Sequence, residues 1–309
     1  MSVHDLGAKK ELCRREYFDF LGDSLQFSPD GSKFAVVEYI SNGPEFRVSL
    51  YDTKTCQIAS SLERFEEFSP KSVRIQFSDD GALILVRLGY AFHLFDSNSS
   101  KLVSSFSGAS ALLSPDGKTV VVEQTAKLQV FDTNGKQRTE LKSDGYNYDF
   151  FEFSNDSSKL IYQRESVSDH KRRLYSFDLQ NGVERVLVSD VEGSYSHGLS
   201  QTSPFYVVGV KDSGAHVFNF ETGYSYKTSS QPGYLNDISF NHEGTMYVAR
   251  VEAGYLRPTN IAVVENVITK TTVATIKESS AITRISFNPS LNQIVYVLED
   301  ENAVKVLDL

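Results

Sequence analysis

Three features of the 309-residue sequence predict an all-β fold assembled from seven copies of one four-stranded unit. A turn motif recurs, an apolar β-branched run follows each copy, and a further run then ends in an aromatic or aliphatic residue plus Asp. The motif reads Phe27-Ser28-Pro29-Asp30-Gly31, Phe77-Ser78-Asp79-Asp80-Gly81 and Leu113-Ser114-Pro115-Asp116-Gly117. Weaker copies are Phe153-Ser154-Asn155-Asp156-Ser157, Phe240-Asn241-His242-Glu243-Gly244 and Phe287-Asn288-Pro289-Ser290, and a unit lacking the signature sits near Leu199-Ser200. The anchors at 27, 77, 113, 153, 199, 240 and 287 lie between 36 (77 to 113) and 50 (27 to 77) residues apart. A period in that range marks a repeat architecture.

Within each unit the elements follow in a fixed order. Pro sets φ at the first corner of the motif, and Asp-Gly accepts the tight or left-handed positions after it, so the motif is a hairpin turn. Runs such as Phe34-Ala35-Val36-Val37, Leu83-Ile84-Leu85-Val86 and Ile294-Val295-Tyr296-Val297 come next, apolar on both faces as strands between two neighbouring sheets must be. The third strand ends in Leu50-Tyr51-Asp52, Leu94-Phe95-Asp96, Val130-Phe131-Asp132, Ser176-Phe177-Asp178 or Val306-Leu307-Asp308. Polar turns, Thr133-Asn134-Gly135 and Gln180-Asn181-Gly182 among them, lead into a more polar fourth strand. Four short strands per unit of about 40 residues is the blade of a β-propeller.

The expected boundaries make one domain of 1–309: a closing strand at about 12–20, then blades at about 24–66, 72–106, 109–142, 148–189, 197–229, 235–277 and 282–309. The last blade stops after its third strand, so the stretch Leu12 to Phe20 is expected to supply its fourth and leave no open sheet edge. On its turn-and-strand pattern, from about Leu12 to Leu309, the chain resembles the WD40-type seven-bladed propellers, of the divergent sort that carry Phe-Ser-Pro-Asp-Gly turns. It departs from them in having no tryptophan, so that Trp-Asp becomes Tyr-Asp or Phe-Asp, and no Gly-His pair ahead of a first strand. The hydrogen-bonded His–Ser/Thr–Asp–Trp network of that family is therefore missing, and aliphatic and Phe packing is expected to hold the blades.

Composition narrows the function classes. Lys and Arg total 31 against 40 Asp and Glu, a formal charge of −9, which opposes nucleic-acid binding driven by phosphate neutralisation. No apolar run reaches the roughly 18 residues a membrane helix needs, and Met1 to Arg15 shows no signal-peptide core. Cys13 and Cys56 are the only cysteines; they are expected to be buried thiols in a reducing compartment, cytoplasm or nucleus.

The resemblance implies that the connectors into each first strand, and the loops between second and third strands, share one binding face. There, blades 4 to 6 offer Gly145-Tyr146-Asn147-Tyr148, Gly193-Ser194-Tyr195-Ser196-His197 and Gly233-Tyr234-Leu235-Asn236. Tyr146, Tyr148, Tyr195, His197 and Tyr234 are expected to form an aromatic patch for a partner peptide or loop, since tyrosine offers a large rigid ring with a polar tip. The neighbouring stretch from Arg164 to Arg173 is the most basic in the chain, and Arg164, Lys171 and Arg172 are expected to hold an acidic or phosphorylated segment. The alternative for each group is structural: rings sealing the channel mouth, and a solvated hairpin tip.

Catalytic patterns are poor. The six histidines, His4, His93, His170, His197, His216 and His242, show no metal-ligand spacing, and no Gly-x-Ser-x-Gly elbow occurs. Gly117-Lys118-Thr119 lacks the upstream glycine of a phosphate loop. The expectation is a non-catalytic interaction scaffold or complex subunit without cofactor or metal. The rival is a small-molecule-binding or lactonase-like propeller, for which Asp149, Asp237, Arg284 and His197 are the charged candidates at the channel mouth.

Overall fold

A computed structural model describes residues 2–5, 10–14, 20–39, 46–65, 73–142, 146–168, 171–191, 194–210, 214–228, 234–252, 258–288, 292–299 and 304–309. These residues are strands and turns. Among them no helix is long and apolar enough to cross a membrane. The chain separates into two compact units, Met1–Asp144 and Gly145–Leu309.

The first unit opens with a two-stranded sheet, β1 (Ser2–Asp5) and β2 (Lys10–Arg14). Blade 1 follows with β3 (Phe20–Phe27), β4 (Lys33–Tyr39), β5 (Phe46–Asp52) and β6 (Ile58–Phe65). Blade 2 has β7 (Val73–Phe77), β8 (Leu83–Leu88), β9 (Ala91–Asp96) and β10 (Leu102–Ser107). Blade 3 has β11 (Ser110–Leu113), β12 (Thr119–Gln124), β13 (Lys127–Asp132) and β14 (Gln137–Lys142). In each blade the strands pair antiparallel in sequence order.

The second unit repeats this plan. Blade 4 holds β15 (Tyr146–Phe153), β16 (Lys159–Ser166), β17 (Arg172–Asp178) and β18 (Glu184–Val191). Blade 5 holds β19 (Ser194–Leu199), β20 (Phe205–Val210), β21 (Gly214–Asn219) and a fourth strand of three residues, β22 (Ser225–Lys227). Blade 6 holds β23 (Tyr234–Phe240), β24 (Met246–Glu252), β25 (Pro258–Asn266) and β26 (Thr271–Lys277). Blade 7 has three strands among the described residues, β27 (Ile282–Phe287), β28 (Gln293–Leu298) and β29 (Val304–Asp308).

Seven antiparallel blades bear out the expected fold class. Only the two ends of the stretch expected to complete blade 7 are described. Lys10–Arg14 pairs with Ser2–Asp5, and Phe20 pairs with Glu38 inside blade 1. Residues 15–19 lie outside the described residues.

Cores form between neighbouring blades, as strands apolar on both faces require. In the first unit Ala35, Val37 and Leu50 of blade 1 pack on Ile75, Ile84 and Val86 of blade 2, and Leu85 and Leu94 of blade 2 meet Leu113 and Val120 of blade 3. In the second, Ile161 and Leu174 meet Tyr206 and Val208, Val207 and Val217 meet Tyr247 and Val263, and Val248 and Val264 meet Ile285 and Ile294.

Apolar packing is not the whole of blade cohesion, which corrects the expectation drawn from the missing tryptophan network. Gln76 clamps the neighbouring first strand: its Nε2 donates to the Leu113 carbonyl at 2.8 Å and its Oε1 accepts the Leu113 amide at 3.0 Å. Within blades, buried phenols donate to carboxylates, Tyr51 to Glu38 at 2.8 Å and Tyr247 to Glu265. Cys56 is disulfide-bonded, not a thiol, and Cys13 is the chain's one other cysteine. Cysteine usage therefore no longer argues for a reducing compartment.

Candidate functional site

The first strands of blades 4 to 6 run from the connector end, which holds Tyr146, Tyr195 and Tyr234, to the turn-motif end. Register fixes the connector end. Tyr146 pairs with Ser166, Ser194 with Val210, and Tyr234 with Glu252, so each tyrosine-bearing start lies beside the junction of second and third strands. In blade 4 that junction is the basic tip: the Lys171 carbonyl accepts the Ser166 amide at 2.8 Å, and Arg172 stands opposite Glu165. Backbone pairing thus brings Tyr146 and the Lys171–Arg172 segment to one end of blade 4. The side chains of Tyr146, Tyr195 and Tyr234 lie outside the described residues.

Other expected site residues have duties inside the blade. Tyr148 is buried, and Arg164, its cross-strand partner, is 7% exposed. The Arg164 guanidinium lies 5.5 Å from the Tyr148 ring centre, 5.1 Å from that of Tyr162 and 4.6 Å from that of Tyr175. It donates to Glu184 at 2.8 Å, and the Tyr162 hydroxyl donates to the same carboxylate. Burial, then that bond, push the Tyr162 phenol far up, so it stays a donor. A planar guanidinium among rings is thus neutralised by Glu184, although its Nε has no hydrogen-bond partner among the described residues. Tyr148 and Arg164 are therefore not presented to a partner. Arg172 is partly neutralised by Glu165 at 3.2 Å.

His197 belongs to the other end. Its ring stacks on Tyr206 at 5.9 Å between centres, and its Nε2 is 3.3 Å from Glu152 Oε1. Both line a cavity of about 450 Å³ between the first strands of blades 4 to 7 and the turns after them. Ser239 and Ser286 face it with their hydroxyls 3.0 Å apart, and the Ser239 Oγ accepts the Phe287 amide at 3.2 Å. Leu199, Ile238, Phe240 and Phe287 supply the apolar wall. Sequence reading missed this cavity, although the signal was present. Ile238-Ser239-Phe240-Asn241 and Ile285-Ser286-Phe287-Asn288 repeat the same four residues, each with a serine inside an apolar strand.

Asp237 and Arg284, named as channel-mouth candidates, form a structural network. A bulge between Asn236 and Ser239 leaves Asp237 at φ +51°. Its carboxylate accepts from Arg250 at 3.1 Å and from Arg284 at 3.3 Å, and Arg250 also pairs with Glu252 at 3.0 Å. The Arg250 and Glu252 side chains are almost wholly buried, whereas that of Arg284 is 77% exposed. The side chain of Asp149 lies outside the described residues.

No protein-family model and no curated protein matches the chain. Solved structures do. The C-terminal WD40 domain of Sif2 superposes with a TM-score of 0.66 at 15% identity, covering 92% of this chain and 80% of that one. The β-propeller domain of Cps50 (Swd1) from Myceliophteria thermophila gives 0.60 at 12%, covering 94% and 97%. Hydrazine synthase of Kuenenia stuttgartiensis gives 0.57 at 14%, covering 96% and 98%. At these identities the likeness is one of fold, the β-propeller.

Proposed function

We propose that this chain is a non-catalytic interaction subunit, and that the connector end of blades 4 to 6 engages an extended, acidic or phosphorylated segment of a partner protein. The fold supports an interaction scaffold, since function on repeat architectures sits in the loops and connectors they present. The register carries the finer reading: tyrosine-bearing starts of three consecutive first strands lie beside strand junctions, and in blade 4 that junction is the Lys171–Arg172 segment. Tyrosine supplies contact area at low entropic cost, and the basic tip supplies charge-assisted bonds and steering. Cytoplasm or nucleus is the setting proposed; the Cys56 disulfide is the feature that pulls toward an oxidising compartment.

The test reverses charge at the tip. Lys171→Glu with Arg172→Glu is expected to cut partner recovery about 10-fold or more, and the residual binding is expected to depend less on salt. Recovery at wild-type level from the folded variant would remove the basic tip from the proposal.

A further inference from the structure

The geometry points to a second recognition site in the second unit: the cavity at the turn-motif end of the first strands takes a primary alkylammonium group. Its volume, about 450 Å³, lies within the range of small-ligand pockets. Charge selects the class. Among the lining residues Glu152 is the one with an ordinary formal charge, His197 and His242 are the remaining titratable groups, and no Lys or Arg is present. An anion placed there meets a carboxylate with no Lys or Arg in the lining, whereas an ammonium meets an acceptor.

Shape and hydrogen bonding agree. An ammonium has three donors, and Glu152 and the paired hydroxyls of Ser239 and Ser286 supply oxygen acceptors on the cavity wall. Beside them Leu199, Ile238 and Phe240 offer apolar surface for the methylene chain behind the head. The surrounding turns are already fixed. The Thr202 hydroxyl donates to the His242 carbonyl at 2.6 Å, and Asn241 Oδ1 accepts the Thr245 and Met246 amides at 2.9 Å. The wall is therefore preorganised, which lowers the cost of binding.

A lysine side chain and a free aliphatic diamine present the same chemistry. Isothermal titration of the full chain at about 0.15 M salt, which damps long-range attraction to the acidic surface, compares 1,4-diaminobutane, a capped lysine peptide, 1,4-butanediol and butyrate. Saturable binding of at least one amine, without the diol or the acid, is expected. Preference for the diamine or for the peptide identifies the source. Glu152→Gln is expected to weaken that binding about 10-fold or more, as loss of a charge-assisted partner does. Because Glu152 also contacts His197, a second variant, Gln201→Lys, adds a competing cation at an exposed lining residue, and is expected to weaken binding comparably with the fold intact. Equal binding of the diol, unchanged amine affinity in both variants, or no amine binding at millimolar concentration would overturn the proposal.

Discussion

A serine beside an aspartate does the local work of the repeated turn. Ser28, Ser78, Ser114 and Ser154 each donate through Oγ to the aspartate two residues on, at 2.7, 2.7, 2.7 and 2.6 Å. The same Oγ accepts the amide five residues on, Lys33, Leu83, Thr119 or Lys159. In blade 6 Asn241 takes over this acceptor role through Oδ1. The Ser28 hydroxyl holds the Asp30 carboxyl down at about 2, and that of Ser78 lowers Asp80 likewise. A folded pKa below the unfolded value of about 3.9 contributes stability that is complete above that value and lost as pH falls toward 2. Urea midpoints are therefore expected to drop between about pH 5 and pH 2.5, and Asp30→Asn to flatten part of that slope; an unchanged slope would contradict the turn's electrostatic role. At Arg164, substitution by Ala strips three rings of their cation and leaves Glu184 only the Tyr162 hydroxyl of the two donors described. A loss of roughly 2–4 kcal/mol is expected in chemical denaturation, and a neutral result would contradict the buried role assigned to it.

At the scale of strands, the turn motif and the Asp that ends the third strand were legible because both are local chemistry. Gly31, Gly81 and Gly117 all adopt positive φ, near +67°, and Asp52 and Asp96 each accept two backbone amides of the following turn. Cross-strand neighbours were not legible, since they depend on register and bulges. The first strands of blades 4 to 7 are each bulged, at Tyr148/Phe150, Ser194/Ser196, Asn236/Ser239 and Ile282/Arg284. A bulge shifts which side chains share a face, so the sequence alone could not place Tyr148 against Arg164 or His197 beside Glu152. Spacing between adjacent first strands shows at Gly198, where an added Cβ would stand 2.6 Å from Ile238 Cγ2 and 2.9 Å from its carbonyl oxygen. Gly198→Ala is expected to destabilise by about 1–3 kcal/mol, read as a lowered thermal midpoint; a midpoint equal to wild type would mean that blades 5 and 6 can part at no cost.

Over the whole chain, seven repeats counted in the sequence are seven blades in the structure, because each repeat carries its own turn and its own two-faced strand. Which segment completes blade 7 was not legible: three of its strands are among the described residues, and the middle of the stretch expected to supply the fourth, 15–19, lies outside them. The bonded state of Cys56 was equally invisible, since a cysteine count does not report a distance. Partner recognition is the claim on which the functional account stands. Its most direct test is native co-purification with mass spectrometry, comparing wild type with the variant Tyr146→Ala/Tyr195→Ala/Tyr234→Ala after circular dichroism has shown the variant folded. The expected result is a stoichiometric partner with wild type that is lost from the triple variant and retained by Gln201→Lys at the opposite strand ends. A partner held equally by the triple variant would contradict the assignment and move recognition away from the connector end.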